Sequence, residues 1–207
     1  MKKISLVAFL GNYGREYENT RHNVAWLFEK SLSFSGKLNW QSKFKGQFCK
    51  IDRKLLIGEN QLKDDLIGES VYFLKPETYM NLSGESIIAL MQFFKIKPEE
   101  VLVVHDELEL PCGTVSLKWS GGLGGHNGLR STKENLGTAD FWRLRFGIGR
   151  PDHKDIAGYV LSNFTSDEKI ILSQIFPQTE KLMNDLFAKN PDNLLNSWKK
   201  KNLAPST

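Results

Sequence analysis

VLVVHD, residues 101–106, is the most strand-like segment of the chain: three valines and a leucine, then a histidine and an aspartate. β-Branched residues in a short run favour extended backbone, and the polar HDELELP that follows ends the strand. Upstream, ISLVAFL (4–10) is a second short apolar run, closed by Gly-Asn, and SVYFLK (70–75) is a third, stopped by Pro76. Between them apolar residues recur at helical spacing from about 23 to 34. Ile87, Ile88, Met91 and Phe94 mark one face of a further helix. QFCKI and KLLIG, separated by Asp-Arg, predict a hairpin.

Downstream, TVSLKW is a strand, GGLGGHNG a glycine-rich loop, and RSTKENLG a short helix ending at Gly137. WRLRFGI (142–148) alternates Trp142, Leu144, Phe146 and Ile148 with Arg143 and Arg145, which predicts a strand with one wet face. Helices over 166–188 and 191–201 complete the chain. Strands alternating with helices predict one α/β domain over residues 1–207, its twisted sheet mixed but mostly parallel and flanked by helices.

Bulk properties narrow the function classes. At 207 residues the chain can bury one sizeable core, and its 40% hydrophobic and 25% charged residues are those of a soluble globular protein. No apolar run is long enough to span a bilayer, and MKKISLVAFLGNYG lacks the apolar length and cleavage site of a signal peptide. Cys49 and Cys112 stand far apart, which suits free thiols in a reducing cytoplasm. Residues 1–60 hold 11 Lys and Arg against 5 Asp and Glu, a bias compatible with a polyanionic partner or a solvated basic face.

In open α/β sheets ligands sit outside the carboxyl ends of the strands. Asn12 follows the first strand, Asn81 follows SVYFLK, and Asp106 ends VLVVHD. His22, in TRHNVAW, starts the helix after the first strand, and Asn127 opens one after the glycine loop. A bland reading has Thr20 capping that helix and Arg21 facing water. The shared placement argues instead for one cleft. A histidine backed by a carboxylate is a general base, and asparagine amides hold carbonyls, amides and water without charge. The loop lacks the Lys-Ser/Thr of a P-loop and does not fit G-x-G-x-x-G, so no nucleotide cofactor is expected. A zinc site built from His22, His105, His126 and Asp106 is disfavoured. No pair has i, i+4 spacing, and neighbours in a strand point to opposite sides.

The ordered motifs FLGNYGREYENTRHN, KPETYMNLSG, VVHDELELPCG, GGLGGHNGLRS, FWRLRFGIGRP and YVLSNF resemble the bacterial peptidyl-tRNA hydrolase family over almost the full chain. The resemblance implies hydrolysis of the ester joining a peptide, or another N-blocked aminoacyl group, to the tRNA 3′ end. It implies a cytoplasmic monomer with no cofactor, no metal and no membrane partner. His22 matches the catalytic histidine, Asp106 the aspartate that supports it, and Asn12 the residue associated with telling blocked from unblocked substrates. Tyr17, Tyr79, Asn81 and Asn127 match substrate-contacting positions, and Lys118 and Arg145 match residues that grip a tRNA phosphate. Arg130 adds to the basic surface. Tyr13 stands where the family usually has proline, Ala25-Trp26 where it has Gly-Phe, and Tyr79 where phenylalanine is common. A non-catalytic RNA-binding protein on the same fold is the alternative that loss of His22 or Asp106 would favour, and both are present.

Overall fold

Alternation along the strands divides the apolar residues between two layers. In the computed structural model, which describes residues 2–58, 66, 68–152 and 154–205, β1 (Leu6–Phe9) sends Val7 and Phe9 to one side and Leu6 and Ala8 to the other. β5 (Val101–Glu107) does the same, Leu102 and Val104 against Val101 and Val103. The first layer packs under α1 (Val24–Ser31) and α6 (Ser166–Ala188), through Phe28, Ile175 and Leu186. The second packs under α3 (Ser83–Phe94) and α4 (Asn127–Leu136), through Ile87, Leu90 and Leu129. Side chains that alternate along a covered strand must find an apolar layer on both faces, and the helices supply it.

The remaining strands are β2 (Gln41–Lys43), β3 (Gly46–Asp52), β4 (Ser70–Pro76), β6 (Thr114–Trp119), β7 (Trp142–Gly147) and β8 (Lys201–Asn202). They join in the order β2-β3-β4-β1-β5-β7-β6-β8. The core β4-β1-β5-β7 is parallel, and among the described residues only β3 and β6 run against the rest. The sheet is mixed and mostly parallel, flanked by helices, as the sequence predicts. The chain leaves β1 for β4 on one side and crosses through α3 to β5 on the other. That reversal opens a crevice at the carboxyl ends of these strands.

Three expected elements differ. KLLIG is no strand: Arg53–Ile57 form a short helix, α2, because the Asp52 carboxylate accepts from the Lys54 amide at 2.9 Å. The buried Arg53 holds that helix down through the carbonyls of Phe187 and Ile4, and the hairpin lies instead between β2 and β3. The predicted helix over 191–201 shrinks to one 3-10 turn, Pro191–Leu194, and the chain then pairs with β6 as β8. Capture of an open sheet edge overrides the local preference there. The arginine face of β7 is not wet. Arg143 is buried, and its guanidinium donates to the carbonyls of Gly122 and Gly121 at 2.7 and 2.9 Å.

Helices α3 and α4 meet at Gly84. A methyl group there would fall 2.1 Å from the Ser131 carbonyl oxygen, while the Gly84 amide donates to the Ser131 hydroxyl at 3.0 Å. This close approach, which only glycine permits, fixes the turn bearing Asn81 relative to the helix start bearing Asn127.

Candidate active site

The 3-10 turn Arg21–Asn23 sets His22 at the edge of the crevice, over the end of β5. Asp106 lies on the same face of β5 as Leu102 and Val104, beneath α1, and this parity brings its carboxylate under His22. His22 Nδ1 lies 2.8 Å from Asp106 Oδ1. With the carboxylate accepting, Nδ1 carries the proton and the Nε2 lone pair remains available. Burial opposes charge on His22, but the attraction of Asp106 and the hydrogen bond together prevail and raise its pKa above the ordinary 6.5. Asp106, although fully buried, is held far below the usual carboxylate range by the two histidines it faces.

The second histidine is His126, which sequence reasoning considered only as a metal ligand. It caps α4, its Nδ1 accepting from the amides of Gly128 and Leu129 at 3.1 and 3.3 Å. Nδ1 is therefore unprotonated, and Nε2 donates to Asp106 Oδ1 at 3.0 Å. The HNG stretch gives little signal of this, since histidine is not among the side chains that usually cap a helix. His105, on the opposite face of β5, donates from Nδ1 to the Asp106 carbonyl at 2.6 Å and sets its ring 4.9 Å from that of His126. Burial, the neighbouring His126 and Arg143 keep His105 neutral well below pH 6.5, outweighing the pull of Asp106.

His22, Asp106 and His126 present ligand atoms within 4.8 Å of one another, close enough in distance alone for a metal ion. The tautomers argue otherwise. A metal on His126 Nε2 would force the proton onto Nδ1, against the two amides that already donate to it. The cluster fits a carboxylate held between two N–H donors better than a metal ligand set.

Asn12 is seated by a neighbour that the sequence reading left without a role. Asn23, completely buried, donates from its amide to the Asn12 carbonyl and accepts from the Asn12 amide, both at 2.9 Å. Asn12 Oδ1 in turn accepts from the Met80 amide at 2.8 Å, which leaves its NH2 group as the donor facing the cavity. These three bonds hold Asn12 where the exposed Tyr13 supplies no proline ring. Trp26, in the place of the usual phenylalanine, donates to the Phe9 carbonyl at 2.9 Å and lies against Gly11, where a methyl group would come within 2.7 Å of its ring nitrogen.

Asn12, His22, Tyr79, Asn81, Asp106 and Asn127 line one cavity of about 710 Å³, with Arg130 at its margin. Its apolar wall is a helix absent from the sequence reading, α5 (Ile156–Val160), which is too short to show a period. Tyr17 does not line the cavity: it sits on the preceding turn, where its carbonyl accepts from Thr20. Thr20 makes no side-chain cap, and Arg21 is buried. Lys118 is half-buried. Arg145 is engaged by Glu107 at 3.2 Å and by the Ser116 hydroxyl at 2.8 Å.

Residues 6–206 match the family model described as peptidyl-tRNA hydrolase. The chain is 48% identical to peptidyl-tRNA hydrolase of Treponema pallidum over 205 residues, covering 97% of this chain and 96% of that protein. It is 45% identical to the Desulfitobacterium hafniense enzyme, over 90% of this chain and 94% of that one. Its fold superposes on the crystal structure of peptidyl-tRNA hydrolase from Acinetobacter baumannii with a TM-score of 0.82, at 33% identity and 96% coverage of both chains. The chain belongs to the peptidyl-tRNA hydrolase family.

Proposed function

We propose that the chain hydrolyses the ester between a peptide, or another N-blocked aminoacyl group, and the 3′ end of tRNA, with His22 as general base. The observation that carries this reading is the His22 Nδ1–Asp106 Oδ1 bond of 2.8 Å in the lining of a cavity large enough for a substrate terminus. His22 Nε2 takes a proton from water as the oxygen attacks the ester carbonyl, and Asp106 supports the imidazolium. The Asn12 NH2 group donates to the carbonyl oxygen as it gains charge. The carbon–oxygen bond to the ribose then breaks, and the proton on His22 passes to the leaving oxygen. His126 keeps Asp106 in place and unprotonated.

Tyr79, Asn81 and Asn127 hold the substrate on the rim, and Tyr17 contacts a part of it beyond the cavity. Lys118 and Arg145 grip tRNA phosphate, Arg145 by exchanging Glu107 for the phosphate. The enzyme works as a monomer in the cytoplasm, a reducing compartment that the free thiols Cys49 and Cys112 suit. It uses no cofactor or metal, in keeping with the tautomer of His126. The test is incubation with N-acetyl-aminoacyl-tRNA and its unblocked counterpart. We expect cleavage of the first and near-inertness toward the second, because the second N–H of the Asn12 NH2 group can donate to the amide carbonyl of the blocking group, which an unblocked ammonium lacks. Equal turnover of both would remove Asn12 as the discriminating group.

A further inference from the structure

Next to His22 stands a buried cation that the proposed chemistry does not use. Arg21 is only 6% exposed. Its Nη1 donates to the Ser162 hydroxyl and to the Asn163 carbonyl, both at 2.6 Å, and its Nη2 to Glu168 at 2.7 Å. The guanidinium lies over the ring of Tyr159 at 4.4 Å and that of Phe164 at 5.4 Å. The Arg21 amide also donates to the Ser162 carbonyl at 3.0 Å, and Thr20 bridges to Asn163. Taking a guanidinium out of water is costly; here both Nη groups are held in a fixed fork and the plane stacks on two rings, while Nε finds no partner. Here the fork joins two parts of the site. One is the turn carrying His22. The other is the segment just after α5, whose Ile156, Ala157, Val160 and Leu161 wall the cavity.

We infer that Arg21 is a positioning residue that locks the cavity wall to the turn bearing His22, so that seating a substrate against α5 and aiming His22 Nε2 are one event. This rests on the proposed role of His22 and goes beyond it. Glu168 anchors the lock at its far end: the same carboxylate oxygen accepts from Arg21 and, at 2.7 Å, from the Thr165 amide at the start of α6. Tyr159 anchors it at the other, donating to the Ile148 carbonyl at 2.6 Å. A displacement of about 1 Å in a catalytic group costs on the order of 100-fold in rate, whereas the substrate contacts on the opposite rim are left in place. Loosening Arg21 should therefore act on turnover more than on substrate binding.

Two variants test this. Arg21→Lys keeps the charge but loses the fork. Ser162→Ala removes one acceptor that does not line the cavity. Steady-state kinetics on N-acetyl-aminoacyl-tRNA are paired with the NMR resonance of the His22 Nδ1 proton, which reports the bond to Asp106 directly. For Arg21→Lys we expect kcat to fall by about tenfold or more, KM to stay within about threefold, and the resonance to shift or broaden. Ser162→Ala should move the same readouts in the same direction by less. Turnover within about twofold of the unmodified protein, an unmoved resonance, or a change confined to KM or to thermal stability would overturn the inference. If Arg21→Lys does not fold, Ser162→Ala decides by the same criteria. Should the unmodified protein fail to cleave the substrate, the proposed function falls, and the resonance alone decides whether Arg21 positions His22.

Discussion

Replacing Asn23 with alanine isolates the support of the site from its chemistry, because Asn23 touches Asn12 and not the cavity. The change deletes two hydrogen bonds of 2.9 Å and strands the amide and carbonyl of Asn12, a residue only 7% exposed. Each of the two stranded backbone groups costs about 1–3 kcal/mol, together about 2–6 kcal/mol. In a chain of this size each kcal/mol lowers the midpoint of thermal unfolding by about 2–4 °C, so a drop of about 4–24 °C is expected by calorimetry. Asn12 remains present but loosely held, so turnover of N-acetyl-aminoacyl-tRNA should fall by about tenfold, less than in Asn12→Ala. Asn23→Asp is the sharper control: a carboxylate still accepts from the Asn12 amide but cannot donate to its carbonyl. It should be about as destabilised as alanine at neutral pH. A midpoint within a degree or two of the unmodified protein for either variant would show that Asn23 does not hold Asn12 in place.

The acid limb of the pH–rate profile should report His22, with turnover lost below an apparent pKa above 6.5 because the base must be neutral. In Asp106→Asn the counter-charge disappears while burial remains, so the same limb should move to lower pH even as the rate drops, and an unmoved limb would unseat Asp106. Stability runs the other way for His22. Its raised pKa contributes fully below 6.5, and that contribution fades as pH rises through the folded value. Asp106, with its pKa depressed from 3.8, contributes above 3.8 and loses the contribution as pH falls toward the folded value. If Lys118 holds tRNA phosphate as proposed, Lys118→Ala should weaken tRNA binding and reduce the logarithmic salt slope by about one unit. Glu107→Gln, by freeing Arg145, should strengthen binding at low salt, and unchanged binding in both variants would return these residues to a solvated surface.

Much of this architecture was legible because periodicity and strand ends carry it. VLVVHD announces a covered strand, and a strand's alternation of two places Asp106 on the face beneath α1. The pairs that complete the site were not legible in the same way. His126 and Asp106 are 20 residues apart, and Arg21 and Ser162 are 141. Asn23 invites reading as a helix cap, yet the cap is absent and its side chain serves Asn12. Elements decided by the edge of the sheet also escaped. β8 exists because β6 has an open edge, not because its own residues prefer extension. Arg143 looked solvated because alternation describes one strand, while the roof over it is the carbonyl-rich start of a distant glycine loop.

The role of His22 as general base is tested most directly by single-turnover hydrolysis of N-acetyl-aminoacyl-tRNA by His22→Ala, with tRNA affinity measured in parallel on the same protein. General-base terms are worth on the order of 100- to 10,000-fold, and Lys118 and Arg145, the groups proposed to hold phosphate, do not line the cavity that His22 lines. A loss of that order in cleavage is expected, with affinity within about threefold of the unmodified protein. Cleavage at a near-normal rate by the alanine protein would contradict that role.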